Sequence, residues 1–303
     1  MTHLLTKGGE AMKKVGFIGA GKVACQMGKY FSENGIPVTG YTDISASSAD
    51  EAATYTGTKV FGDTESLISC SDVIFISTPD DVIKSIWDEI KSMDIDGKMI
   101  GIFSGSLSTD LFSGAKDAGA SVVSAHPMYA FSDRFSDYRK LHTASFTVEG
   151  DEDAVSFICE LFKGLGHRVA VIDSAKKMRY HAAASIASNL MIGLYDISLS
   201  MLKDTGFSDE DAVSFLSPLI QGNISSALET SPAAALTGPI ERGDTDTVRH
   251  HLEVLTPEER DVYLPLAKRL LVIAREKNPE RDYSSMEKLL LSIDKDMYSL
   301  HGE

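Results

Sequence analysis

The sequence predicts an α/β protein in which a doubly wound parallel sheet over residues 12–173 is followed by an all-helical domain over 174–303. Three observations carry this. Short apolar runs alternate with stretches of helical spacing in the first half, the pattern of repeated βαβ units. The first of these runs, Val15-Gly-Phe-Ile18, leads directly into Gly19-Ala-Gly21-Lys-Val-Ala24. Beyond Asp173 the strand-like runs cease and only helical periodicity remains. A chain of 303 residues is long enough for two such domains.

Each element follows in order. The opening run reads as a strand, and a helix-compatible stretch continues from the glycine turn to Asn34-Gly35. Further strands are expected over 37–41, 58–61 and 72–77, the last apolar enough to be buried on both faces. Helical spacing spans 81–92. A strand over 98–103, a helix over 108–118 and a strand over 120–124 come next. A strand over 144–149, a helix over 153–165 and a strand over 167–172 extend the region. The remainder reads as helices over 175–202, 209–216, 221–229, 245–252, 257–277 and 284–300, the first of them long enough to join the two halves.

Composition narrows the function classes. The hydrophobic content of 43% fits an ordinary globular core, and no apolar run approaches the roughly 20 residues that span a bilayer. A net charge of -15 argues against nucleic acid or an anionic membrane as partner. Residues 1–10 read as a flexible extension without a signal-peptide core, with Met12 as an alternative start. Cys25, Cys70 and Cys159 are far apart and without clustered histidines, so neither a metal site nor a disulfide framework is expected. They read as small buried hydrophobes in a reducing cytoplasm.

The glycine turn carries the first functional expectation. Gly19 permits the tight turn, and Ala20 and Gly21 let the backbone approach a phosphate. Lys22 and Val23 open the helix, whose free N–H groups face the anion, and Ala24 is small enough for helix to pack on strand. This is the dinucleotide-binding arrangement of a Rossmann domain. The acid that such domains place on the ribose hydroxyls would fall at Thr42 or Asp43. Thr42 with Ser45 could hydrogen-bond a 2′-phosphate, whereas Asp43 would repel one. Because no carboxylate occupies the strand-end position itself, the reading favours NADP, with NAD as the alternative; the same letters also suit a plain turn. Thr78 and Pro79 close the fourth strand at the edge where ligands bind, or simply form a strand exit.

Three further groups fall where a substrate would react. Ser104-Gly105 closes the fifth strand and His126-Pro127 the sixth, on the same edge as the glycine turn. Pro127 keeps His126 out of helical conformation and so on a loop, where an imidazole could exchange a proton with a substrate oxygen. On the joining helix, His181, Ser185 and Asn189 are spaced to stack on one face, and the alanines between them allow close approach. An interior alanine-rich helix with satisfied polar groups explains the same pattern. Lys176, Lys177 and Arg179 read as a solvated charged turn. Finally, Leu236-Thr-Gly-Pro-Ile-Glu-Arg242-Gly-Asp244 reads as a fixed loop in which Arg242 clamps a substrate carboxylate, or pairs with Asp244 to brace the loop.

Taken in that order, these motifs, with Ser77-Thr-Pro-Asp80, Tyr180-His181 and Ala187-Ser-Asn189, resemble a family of two-domain Rossmann oxidoreductases. It is the NADP oxidoreductase, coenzyme deazaflavin-dependent-like family, related to ketopantoate reductase and the β-hydroxyacid dehydrogenases. The resemblance covers about residues 12 to 275. It implies a helical domain like that of 6-phosphogluconate dehydrogenase and pairing of that half into a homodimer. The relatives' catalytic Lys falls on His181 here, and their two Asn residues on Ser185 and Asn189. His126-Pro-Met128 is separately similar to a prephenate dehydrogenase motif. The combined expectation is a cytoplasmic NAD(P)-dependent oxidoreductase acting on a small oxo or hydroxy acid such as ketopantoate. His181 is the expected proton donor, Asn189 orients the substrate oxygen, and His126 is a second acid or base. Ser104, Gly105, Ser185 and Arg242 would bind the substrate in the interdomain cleft. A prephenate-type dehydrogenase and a non-catalytic NAD(P)-binding regulator are the alternatives.

Overall fold

The computed structural model describes residues 12–300, with side chains up to 292; the expected N-terminal extension lies outside the described residues. The chain divides into two compact units, one ending at Ser188 and the other beginning at Asn189.

The first unit is built on one sheet of eight strands: β1 (Val15–Ile18), β2 (Val38–Thr42), β3 (Lys59–Val60), β4 (Val73–Ile76), β5 (Met99–Ile102), β6 (Ser121–Met128), β7 (Ser145–Gly150) and β8 (Arg168–Val171). Their spatial order is β3-β2-β1-β4-β5-β6-β7-β8. All neighbours are parallel except β6 and β7, so the sheet is mostly parallel. Around it lie α1 (Lys22–Glu33), α2 (Ala46–Thr56), α3 (Thr64–Ser69), α4 (Asp80–Ile90), α5 (Glu152–Gly164) and α6 (Lys177–Ala187). The strand order turns back between β1 and β4, and the carboxyl ends of those strands flank the crevice where open α/β sheets bind ligands.

Side-chain alternation explains why the central strands read as continuous apolar runs. Val15, Phe17, Val73 and Phe75 point into the core under α1, α2 and α5, while Ile18, Ile74 and Ile76 point into the one under α3 and α4. Phe17 stacks on Tyr41 and Phe75 on Phe103, with ring centroids 5.2 and 4.2 Å apart. Each such fully buried ring contributes about 1.5–3 kcal/mol from transfer alone.

The second unit is helical: α7 (Asn189–Asp204), α8 (Asp209–Glu229), α9 (Pro232–Ala235), α10 (Pro239–Arg242), α11 (Thr245–Val254), α12 (Pro257–Lys277) and α13 (Ser284–Leu300). Its core gathers Ile240, Val248, Leu252, Leu264, Leu271 and Met286 from the later helices. By contrast α7 contributes no buried residue and α8 only Ala212.

Several expectations are corrected. The helix expected over 108–118 is a short 3-10 turn, Thr109–Leu111, followed by turns. Gly114 at φ 83° cannot continue a right-handed helix, and Thr109 is tied to Glu149. His126 is not on a loop: β6 runs on to Met128, and His126 pairs with Thr147 of β7. Proline is accepted there because β5 pairs with β6 only as far as Ser124. The long joining helix ends at Ala187, Ser188 leaves helical geometry, and a new helix starts at Asn189. His181 and Ser185 therefore share α6, but Asn189 does not. The two helices expected over 209–216 and 221–229 are one, with Pro218 inside it. Helices α2 and α3 were not expected. Cys70 is exposed, unlike Cys25 and Cys159. One described stretch, Ser174–Asp204, is by length and composition long and apolar enough to cross a membrane, with mean hydropathy 1.3. It is interrupted at Ser188 and carries Lys176, Lys177, Arg179 and Asp196.

Candidate dinucleotide cleft and active site

At the carboxyl ends of β1, β2 and β4 a cleft of about 740 Å³ is lined by Gly19, Gly21, Thr42, Asp43, Thr78 and Pro79, among others. Gly19 has φ 100°, and a Cβ on it would meet the Ser77 carbonyl oxygen at 2.7 Å, so only glycine holds this turn. Gly21 caps α1 without a side-chain bond, which leaves the first-turn amides of Lys22, Val23 and Ala24 as open donors. Ala20 and Ala24 are buried, letting α1 sit close on the sheet, whereas the Lys22 side chain is exposed. Thr78 presents a buried hydroxyl with no hydrogen-bond partner. A tight glycine turn, free helix-start amides and an orphaned hydroxyl on one cleft fit a dinucleotide. Sequence reasoning missed Asp63, Thr64, Ser85 and Glu89 as lining residues because they lie on the unexpected α3 and on the outer turns of α4.

The second feature lies further along the same strand ends. A Cβ built on Gly105 would be 2.6 Å from His181 Nδ1 and 2.8 Å from His126 Nε2. The two imidazoles, from β6 and α6, thus converge on one point above the Gly105 backbone. Their centroids are 6.1 Å apart and the rings nearly perpendicular. His181 Nδ1 is buried and has no hydrogen-bond partner. His126 Nδ1 lies 2.7 Å from the Tyr180 hydroxyl. Burial holds that hydroxyl above the usual phenol range, so it stays protonated and donates to Nδ1. The hydrogen of neutral His126 then sits on Nε2, facing the shared point.

Burial, then the neighbouring His181 and Lys177, push the His126 pKa down to about 4 against the opposing pull of Asp80. His126 is therefore neutral at physiological pH and acts as a hydrogen-bond donor rather than a cation.

A buried network lies beneath the pair, and it overturns the reading of Lys177 as part of a solvated turn. Lys177 is 2% exposed and Glu149 3%. Lys177 Nζ donates to Glu149 Oε1 at 3.0 Å and to Ser124 Oγ. Glu149 also accepts from the Thr109 amide (3.0 Å) and hydroxyl (2.7 Å). Burial pulls the Lys177 ammonium below its ordinary range, against the attraction of Glu149. Nearby, Asp80 accepts from Ser104 Oγ (2.8 Å) and Ser106 Oγ (2.6 Å), and Ser104 Oγ in turn accepts the Leu107 amide (2.9 Å). The Ser104 hydroxyl thus shapes the loop that carries Gly105. Glu149, Asp80 and Tyr180 carry no role in the sequence reading; only the Thr-Pro-Asp80 and Tyr180-His181 strings point near the last two.

The remaining expected residues are placed as follows. Ser185 is half-buried, one turn beyond His181 on α6. Asn189 and Arg242 are exposed and belong to the second unit. The loop around Arg242 is braced by Glu241, which accepts from Asn278 at 2.8 Å and pairs with Arg281. Asp244 caps α11 through the Thr247 amide and hydroxyl. Among the described residues no group of His, Cys, Asp and Glu could hold a metal ion.

Comparisons with known proteins bear on this geometry. Residues 14–100 match a family described as NADP oxidoreductase, coenzyme F420-dependent, and residues 144–270 match a domain of unknown function, DUF2520. No curated protein matches. Among solved structures, a candidate NADP oxidoreductase from Bacteroides fragilis is similar with a TM-score of 0.68 at 21% identity, covering 86% of this chain and 98% of that one. A protein from Thermotoga maritima gives 0.68 at 23%, covering 87% and 99%. An imine reductase from Myxococcus stipitatus in complex with NADP+ gives 0.58 at 17%, covering 87% and 93%. The fold is shared with pyrroline-5-carboxylate reductases and a ketol-acid reductoisomerase as well. Together with the glycine turn and the cleft, the family match identifies a Rossmann-type NADP-oxidoreductase domain over residues 14–100, and the solved structures share the fold of the chain.

Proposed function

We propose that this enzyme interconverts a small oxo acid, or its imine counterpart, and the reduced product, with ketopantoate-like 2-oxo acids as the leading substrate class. The observation that carries the reading is the convergence of His126 Nε2 and His181 Nδ1 on one point above Gly105. When bound, the nicotinamide supplies or accepts the hydride. The chain's part is the proton and the orientation. His126, kept neutral by burial and oriented by Tyr180, donates a hydrogen bond from Nε2 to the substrate oxygen or nitrogen. His181 gives or takes the proton at Nδ1. Charge on His181 disfavours charge on His126, which helps to keep the His126 ring a neutral donor. Asn189 and Arg242 remain candidates, on residue type, for orienting the oxygen and clamping a carboxylate. The apolar helices α7 and α8 support a homodimer, since exposed apolar area on this scale marks an interface. The free cysteines suit a cytoplasmic setting.

The test is a screen of 2-oxo acids and cyclic imines by absorbance of the reduced nicotinamide, run with the wild type and with His181→Gln. The expected result is turnover of an oxo acid that falls about 10²–10⁴-fold in the variant with coenzyme affinity retained. Unchanged turnover in His181→Gln would contradict the assignment, and coenzyme binding with no turnover of any substrate would favour a regulator.

A further inference from the structure

The matched family binds NADP, but the adenosine end of this chain's cleft is built for a ribose hydroxyl. Its lining includes three carboxylates, Asp43, Asp63 and Glu89, and contains no lysine or arginine. The Asp43 carboxylate is fixed at the end of β2: Oδ2 accepts the Ala20 amide of the glycine turn at 2.7 Å, and Oδ1 accepts the Ser45 amide at 2.8 Å. A carboxylate at this place, next to the turn that receives the pyrophosphate, suits the ribose 2′-hydroxyl as donor, whereas a 2′-phosphate requires a cation there. The neutral groups that the sequence offered to a phosphate, Ser45 and Thr42, add no positive charge. Ser45 Oγ accepts the Ser48 amide as the cap of α2, and Thr42 is buried. Lys22, the cation of the glycine turn, is exposed and outside the cleft lining.

We infer that this chain selects NAD(H) over NADP(H), with Asp43 as the specificity-determining residue. The inference rests on the dinucleotide reading of the cleft and is independent of the substrate. A dianionic 2′-phosphate would lie against a carboxylate held by two backbone amides, with no lysine or arginine in the cleft lining to offset the repulsion.

Equilibrium titration of the full chain with NADH and with NADPH, read by nicotinamide fluorescence, tests this without turnover. The wild type should bind NADH at least tenfold tighter than NADPH. Asp43→Asn keeps an acceptor for the Ala20 amide and should narrow that ratio at least threefold. Ile44→Arg alters a fully exposed side chain on the cleft, 108% exposed, so the fold is unaffected; it should tighten NADPH while leaving NADH unchanged. NADPH binding as tightly as NADH in the wild type, or an unchanged ratio in both variants, would overturn the inference. Binding of neither coenzyme would overturn the dinucleotide reading itself and this inference with it.

Discussion

The two units treat their apolar side chains in opposite ways. In the first, Trp87, Phe17, Phe31, Phe75, Phe146 and Phe162 are wholly buried, and polar chemistry is confined to the strand ends. In the second, α7 and α8 leave Ile192 67%, Phe215 64%, Leu219 60% and Leu228 82% exposed. A soluble helix normally turns such a stripe inward. The sheet unit thus buries most of its large apolar side chains within itself, with Val171, Met178 and Ile186 near its C-terminal end among the exceptions, whereas α7 and α8 leave most of theirs exposed. The lesson is that stability and chemistry of the first unit should answer to its own residues, while the second should answer to association.

Substitutions can break that contrast, in decreasing order of effect. Phe75→Ala should cost about 3–5 kcal/mol, read as a lower denaturant midpoint. Lys177→Met should cost about 3–4 kcal/mol, because it leaves the buried Glu149 carboxylate without its cation. Lys177→Met with Glu149→Leu should recover part of that loss, an outcome that would separate an ion-pair penalty from plain packing.

The next effect is one of pH. His126 has a pKa of about 4 when folded and an ordinary value of 6.5. Between those values the unfolded chain takes up a proton that the folded chain refuses. Stability should therefore fall, by up to about 3 kcal/mol, as pH drops from about 6.5 to about 4, and this contribution should be flat above that window. His126→Phe should remove that slope from the urea midpoint measured against pH. The smallest change in intrinsic stability should come from Ile192→Glu with Leu219→Glu. Unfolding of the monomer should shift by no more than about 0.5 kcal/mol, while light scattering should report the mass of the proposed homodimer halved to that of the monomer.

The same contrast marks what could be read in the residues. The glycine turn, the central strands and the strand-end motifs are local patterns, since Gly19, the Val73–Ile76 run and His126-Pro127 announce themselves within a few letters. The convergence of His126 and His181 depends on how α6 crosses the strand ends, so only the suspicion of each residue was legible, not their meeting point. Lys177 shows the limit most clearly. Beside Lys176 and Arg179 it looks like a solvated charge, but Glu149 waits for it on β7, 28 residues away in sequence. Helix α2 was legible in principle, since Ser45 and Ser48 form an N-cap pattern before an alanine-rich run. Helix α3 carries the same signal in Asp63 and Ser66.

The central claim is that the space above Gly105 is where two imidazoles meet the reacting group, and Gly105→Ala puts a methyl there. The side chains it would meet are ring edges rather than backbone, so they can shift and the fold should hold. The measurement is kcat of Gly105→Ala alongside its coenzyme Kd. A fall in kcat of at least 100-fold with the Kd unchanged is the expected result. Full activity with that methyl in place would show that the two histidines do not work at this point.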